Sequence, residues 1–304
     1  MAGVSLRRAF ASGFLLIKHR PVAVFAWGVL ILLFVEVPMI VLLDRFVSGF
    51  LPVLSRVGRM SPQEMNTLSL DMQQRMALIQ TLLLPAFLVR VVIAAAVYRS
   101  VLEPSRNAFA SLRIGRQEAW LLLLTFAFMS LAYLVVIPLY LVVIGGVLGA
   151  LLLVSPFNLI GPVAIAIALL AAIWGGARLG LAAPMTFADR RFRLFESWSA
   201  TRRHGLALVG LGLMIFLFSL AVNLVLIGVG LAVVLAIAGG WPTSVHQVGD
   251  WIVAVRALDL RQAAVWLVPL AVVAAAIYGA MSAVLIAPWA SAYQQLNARP
   301  VAPA

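Results

Sequence analysis

The chain reads three times over: a short basic amphipathic stretch, an apolar span, then a second apolar span that returns to the starting side. Ala9-Phe10-Ala11-Ser12, Ala108-Phe109-Ala110-Ser111 and Leu194-Phe195-Glu196-Ser197 open the three units. Nine residues on from Phe10, Phe109 and Phe195 stand His19, Glu118 and His204, each at the polar edge of an apolar run. The unit ends match as well. Ala171-Ala172-Ile173-Trp174-Gly175, leading to Ala183-Pro184, is repeated at the same spacing by Ala275-Ala276-Ile277-Tyr278-Gly279, leading to Ala287-Pro288. Three hairpins of two spans predict an all-α polytopic membrane protein of six transmembrane helices, with repeat units of about 5–104, 105–191 and 192–293.

Composition excludes the ordinary alternative, because 64% hydrophobic and 11% charged residues lie far from the balance of a soluble domain. A single integral membrane domain over residues 1–304 is expected. Six helices of about 22 residues take up roughly 130 positions, so any chemistry belongs to the spans or the short segments between them. The chain has no cysteine, which removes disulfides, thiolate metal sites and cysteine nucleophiles together.

The spans are expected near 21–43, 77–99, 119–142, 159–183, 206–236 and 263–287. With the N-terminus in the cytoplasm, fourteen of the 22 Lys/Arg fall inside, in groups around Arg7 to Arg20, Arg99 to Arg116 and Arg190 to Arg203 and at Arg299. Arg45, Arg56, Arg59, Arg75, Arg256 and Arg261 fall outside, and Arg90 and Arg178 fall within spans. The positive-inside rule then makes both termini cytoplasmic. The first apolar run is too long for a signal h-region and ends in Leu42-Leu43-Asp44-Arg45, so it is expected to remain as a signal anchor. A net charge of +12 raises nucleic acid as a partner, but these arginines border apolar spans instead of forming one basic face. Anionic membrane lipids are the expected partner, a protein partner stays open, and no nucleic acid is expected.

Leu6, Phe10, Phe14 and Ile17 recur at helical spacing among basic residues, predicting an interfacial helix before the first span. Similar short surface helices are expected around Phe109 and from Phe195 to Trp198. On the other side, Ser61-Pro62-Gln63-Glu64 is a capping box with proline at the first helical position, which predicts a helix carrying Met65, Leu68, Met72 and Met76 on one face. Val248, Trp251, Ile252, Val255 and Leu258 give a similar face before the sixth span. The middle hairpin is expected to turn through Gly145, Gly146, Gly149 and Ser155 to Asn158.

Glu36, Arg90, Arg178 and Asn223 are the candidate ligand-binding residues. An ionisable group inside a span costs at least about 2.5 kcal/mol on insertion scales and generally faces protein or water. Arg90 lies within about 3 Å of its span's midpoint, whereas Arg178 lies roughly 10 Å toward the cytoplasm, within snorkelling reach of headgroups. Glu36 sits at a depth that predicts an ion pair with Arg90 inside hairpin one, for structure or for function alike. Asn223, near the middle of the fifth span, suits a hydrogen bond between helices as readily as a ligand contact. Pro38, Pro85, Pro138 and Pro269 read as packing kinks or as breaks lining a path. Gly145 with Gly149, and Gly176 with Gly180, have small-xxx-small spacing.

Met60, Met65, Met72 and Met76 suit Cu(I), but an adaptable apolar face accounts for them without a metal. His19, His204 and His246 have no ligand spacing. No His-Glu-x-x-His, Gly-x-Ser-x-Gly, P-loop or acidic cluster is present, so no catalytic residue, cofactor or metal is assigned and an enzyme is the minority reading.

Ala177-Arg178-Leu179-Gly180-Leu181-Ala182-Ala183-Pro184, followed by Phe195-Glu196-Ser197-Trp198-Ser199-Ala200-Thr201-Arg202-Arg203, resembles the multi-span membrane domain associated with glycerophosphodiester phosphodiesterases and related uncharacterised bacterial membrane proteins. The resemblance is clearest over 171–212 and architectural elsewhere. The family's phosphodiesterase activity belongs to a separate soluble domain, which has no counterpart in this sequence, so the activity is not carried over. The resemblance implies a bacterial inner-membrane protein linked to lipid or envelope metabolism. The leading expectation is a non-catalytic protein that binds or helps move an amphiphile, or holds a partner at the membrane. A small-solute transporter and a lipid-modifying enzyme are the alternatives.

Overall fold

The computed structural model describes residues 5–42, 61–104, 109–113, 115–151, 167, 170, 171, 173–238 and 260–297. These residues are mostly helical, with no strand among them. The elements are α1 (Leu6–His19), α2 (Pro21–Leu42), α3 (Pro62–Leu102), α4 (Arg116–Leu151), α5 (Ala182–Asp189), α6 (Leu194–Ala200), α7 (Gly205–Ala238) and α8 (Leu260–Asn297). A further helical stretch covers 173–179, and a 3-10 turn covers Phe109–Ser111.

Among the described residues five segments are long and apolar enough to cross a membrane: Pro21–Leu42, Leu83–Leu102, Arg116–Leu134, Gly205–Ala232 and Val268–Asn297. They correspond to the first, second, third, fifth and sixth expected spans; of the expected fourth, 159–183, eleven residues lie outside the described ones, and its described part is helical over 173–179 before a turn at 180–181. Phe126, Leu134, Ile137, Leu206, Phe216 and Ile227 are all more than half exposed, while the most deeply buried positions are shared between alanines or small polar residues and large apolar ones such as Trp27, Phe187, Leu124 and Leu208. Long apolar helices that keep large apolar side chains on their outer surface suit lipid, and with five of them the chain is a multi-pass membrane protein.

The expected helix before the first span is present as α1; its buried residues are Ala9, Gly13 and Leu16, Leu6 and Phe10 pack at the edge of the same core, and Phe14 is exposed. A Cβ on Gly13 would stand 2.7 Å from the Val284 Cα, so α1 approaches α8 through its smallest residue.

Two expectations change. Gly145, Gly146 and Gly149 lie inside α4 instead of in a turn, because an apolar run in lipid keeps its backbone hydrogen bonds internal and the helix continues through them; Ser155 to Asn158 lie outside the described residues. Around Phe109 the described residues form one 3-10 turn and no surface helix, with left-handed backbone at Ala110 (φ 50°) and Ser111 (φ 55°). The stretch from Phe195 to Trp198 is helical as α6.

The capping box is present: the Ser61 N–H donates to Glu64 Oε2 at 2.7 Å and the Glu64 N–H to Ser61 Oγ at 3.3 Å. The helix it starts runs unbroken through Pro85 to Leu102, so the expected surface helix and the second span are one element of 41 residues. Met60 and the 248–258 face lie outside the described residues.

By its contacts the chain divides into two compact units. One comprises Met1–His19, Val91–Phe216 and Ala283–Ala304. Its apolar centre gathers Ala9, Ala177, Leu181, Leu208, Leu211 and Ala292, with Trp289 and Tyr293 packed against it. The other comprises Arg20–Arg90 and Leu217–Ser282. Within it, a Cβ on Gly28 would lie 1.6 Å from the Ala275 carbonyl oxygen, and one on Gly279 would lie 2.0 Å from that of Val24. The backbones of α2 and α8 touch there. α2 also widens into a π turn at Leu32–Glu36, closed by the Val37 N–H donating to Leu32 O. Pro38 follows at once, and its ring would crowd the Phe34 carbonyl of a regular α-helix, which the wider turn relieves.

Candidate functional site

Glu36 ends the π turn, and in the same unit Arg90 Nη2 stands 3.8 Å from Glu36 Oε1. Tyr278, on α8, lies beside Glu36. The pairing is loose: the Arg90 side chain is 65% exposed and that of Glu36 is 23% exposed. A carboxylate, a phenol and a guanidinium therefore stand together at a local irregularity of a long apolar helix.

Asn223 is less engaged. Its Nδ2 donates to Ser219 O one turn back at 2.8 Å, and its side chain is exposed. It bonds within α7 instead of joining two helices.

Arg178, in the first unit, is about nine-tenths buried, and its guanidinium lies against two indoles that meet edge to face, 4.6 Å from the Trp174 ring centre and 4.9 Å from that of Trp198. Nη1 donates to Trp198 O at 3.3 Å and Nη2 to Arg202 O at 3.5 Å, so the charge rests on the carbonyl end of α6. In return, Ser197 Oγ donates to the Arg178 carbonyl at 2.7 Å. Arg178, Ser197, Trp198, Thr201 and Arg202 belong to the two segments quoted above for the family resemblance, and they are one another's partners. The arginine clasps α6 to the helix before it. Its Nε and the nearby His204 Nδ1 are buried without a hydrogen bond among the described residues.

In front of the clasp runs an apolar groove of about 630 Å³, walled by Phe128, Leu131, Leu179, Trp198 and Trp289. Gly175 and Gly176 form its floor, and a Cβ on either would meet nothing within 4 Å. Gly175 occupies the repeat position of Gly279, where the α2 backbone is packed in contact.

The polar feature that the sequence did not single out is a cleft of about 430 Å³ at the start of α4. Its base is the buried pair Arg99 and Glu118, in which Arg99 Nη2 donates to the carboxylate and Nη1 donates to the Ser111 carbonyl. Phe187 covers the guanidinium at 5.6 Å. Around this base stand Arg113, Arg116, Arg190 and Arg191, with Asp189 and Gln117. Arg190 takes a left-handed backbone, φ 54°, to end α5, and points to Glu103 at 4.0 Å. Gln117 Nε2 donates to Glu103 Oε1 and Phe187 O, both at 3.3 Å. Glu118 had been visible only as the middle unit's counterpart of His19 and His204, and Arg99 only as one of the inside charges. Nineteen residues separate them, so nothing short of the turn between α3 and α4 could pair them.

Among the described residues no group of three or more His, Asp or Glu could hold a metal ion. Compared with family models, curated proteins and solved structures, the chain matches none.

Proposed function

We propose that this is a non-catalytic, multi-pass protein of a bacterial inner membrane, with both termini cytoplasmic, that binds or helps move a lipid-like amphiphile. The observation that carries this reading is the apolar groove over Gly175 and Gly176: it has the size of a small-molecule site, aromatic walls and a floor kept bare of side chains. An acyl chain fits that chemistry, and the resemblance to membrane domains associated with lipid metabolism points the same way. Native mass spectrometry of the protein released gently from its own membrane tests it. A discrete lipid held by the wild type and lost from a Gly175→Leu/Gly176→Leu variant is the expected result. Adducts unchanged by filling the groove would remove the groove as the site.

A second reading, transport of a small solute, is favoured by Glu36, Tyr278 and Arg90 meeting at the π turn of α2. The chain's lack of cysteine makes this separable. Val37→Cys and Ile40→Cys should react with a membrane-impermeant thiol reagent if water reaches the cluster, and should stay inert in a solid scaffold.

A further inference from the structure

We infer that the arginine-lined cleft at the start of α4 binds a phosphate-bearing anion. The carboxylates around it are already engaged: Glu118 by Arg99, Glu103 by Arg190 and Gln117, and Asp189 by Arg193 at 3.0 Å. Arg113, Arg116 and Arg191 are left without a carboxylate partner among the described residues, and all three line one concave space. Like charges gathered in a cleft repel, and low-dielectric walls focus their field on whatever anion enters. Guanidinium forks match phosphate oxygens in pairs, and three of them offer more donors than a single carboxylate can accept.

The backbone adds to this. The first internal bond of α4 is the Ala119 N–H to Gly115 O, at 3.2 Å, so the N–H groups of Arg116 and Gln117 have no carbonyl a turn back and face the same end as the cleft. Both loops that supply the arginines are held in defined bends, at Ala110 and Ser111 on one side and at Arg190 on the other. The buried pair Arg99 and Glu118 keeps the base neutral and fixed, so the surplus charge stays at the rim. This inference does not depend on the apolar groove, which shares no residue with the cleft.

The chemistry is common to free phosphate and to a phospholipid headgroup, and the experiment separates them. The full chain in an uncharged maltoside detergent is titrated with inorganic phosphate and, separately, with dihexanoyl phosphatidic acid, while its thermal unfolding is followed. A saturable rise in Tm with at least one probe is expected, and an Arg113→Gln/Arg116→Gln/Arg191→Gln variant should need at least about tenfold more of it. Arg116→Gln alone, an exposed single change, serves if the triple variant folds poorly. Phosphate acting by itself assigns a free anion, and phosphatidic acid alone assigns a headgroup. The control is Arg7→Gln/Arg8→Gln/Lys18→Gln, which removes equal charge from exposed positions on α1. No saturable shift with either probe, a shift that survives the cleft variant, or an equal loss in the α1 control would each overturn the proposal.

Discussion

Arg99 and Glu118 form an ion pair sealed almost entirely from solvent, joining the last turn of α3 to the first turn of α4. The chain between them reverses through Ala110 and Ser111, both in left-handed backbone that costs about 1–3 kcal/mol per residue for a side chain other than glycine. The Ser111 carbonyl is turned onto Arg99 by that bend, and its hydroxyl lies 3.1 Å from Ser100 Oγ. The reversal, the pair and the cleft above them are one construction.

Glu118→Leu or Arg99→Met alone should destabilise the protein by about 3–5 kcal/mol, since each leaves one buried charge without its partner. The double change should recover most of that loss. Unfolding in detergent followed by helical circular dichroism reads both; a double variant as weak as the worse single one would mean that the pair's contacts with Ser111 matter more than its charge balance.

Gly28→Ala should cost about 1–3 kcal/mol or more, because its Cβ would enter the space of the Ala275 carbonyl and force α2 away from α8. Gly230→Ala, where a Cβ meets nothing, should instead be neutral or add up to about 1 kcal/mol through helix propensity. Comparable losses of Tm at both positions would show that helix content, and not the close approach, sets stability here.

The helices were legible because lipid demands long apolar runs and closed backbone hydrogen bonding, and those leave a period-independent mark in the sequence. Glu36 and Arg90 were legible for a related reason: charges are rare in spans, so their depths can be compared residue by residue. The close approach of α1 to α8 was not legible, because amphipathicity reports where water is excluded, while Gly13 meets α8 through the absence of a side chain. The arginine cleft stayed hidden because inside-facing arginines look alike in sequence. Only the bends at Ser111 and Arg190 separate those of a concave site from those on a plain basic rim.

Reversing Glu36→Arg or Arg90→Glu singly should lower the yield of folded protein several-fold, because each puts two like charges about 4 Å apart inside spanning helices. The double reversal should return at least half of the wild-type yield, measured as the monodisperse fraction on size exclusion. Failure to rescue would mean that the two residues act independently, with Tyr278 as the partner that matters to Glu36.

Arg178→Lys should be destabilising by about 1–3 kcal/mol even though the charge is kept, since an ammonium cannot lie flat against Trp174 and Trp198 while reaching the carbonyls of both Trp198 and Arg202. Trp198→Leu should cost a similar amount, and the two together less than their sum by about 0.5–2 kcal/mol, because either change alone already opens the clasp. Lipid retained in the groove should fall with Trp198→Leu, whose ring is a wall, and fall less with Arg178→Lys, which keeps that ring. Strictly additive stabilities would separate the arginine from the indole. Loss of lipid with Arg178→Lys alone would instead move the charge from holding α6 to meeting a headgroup.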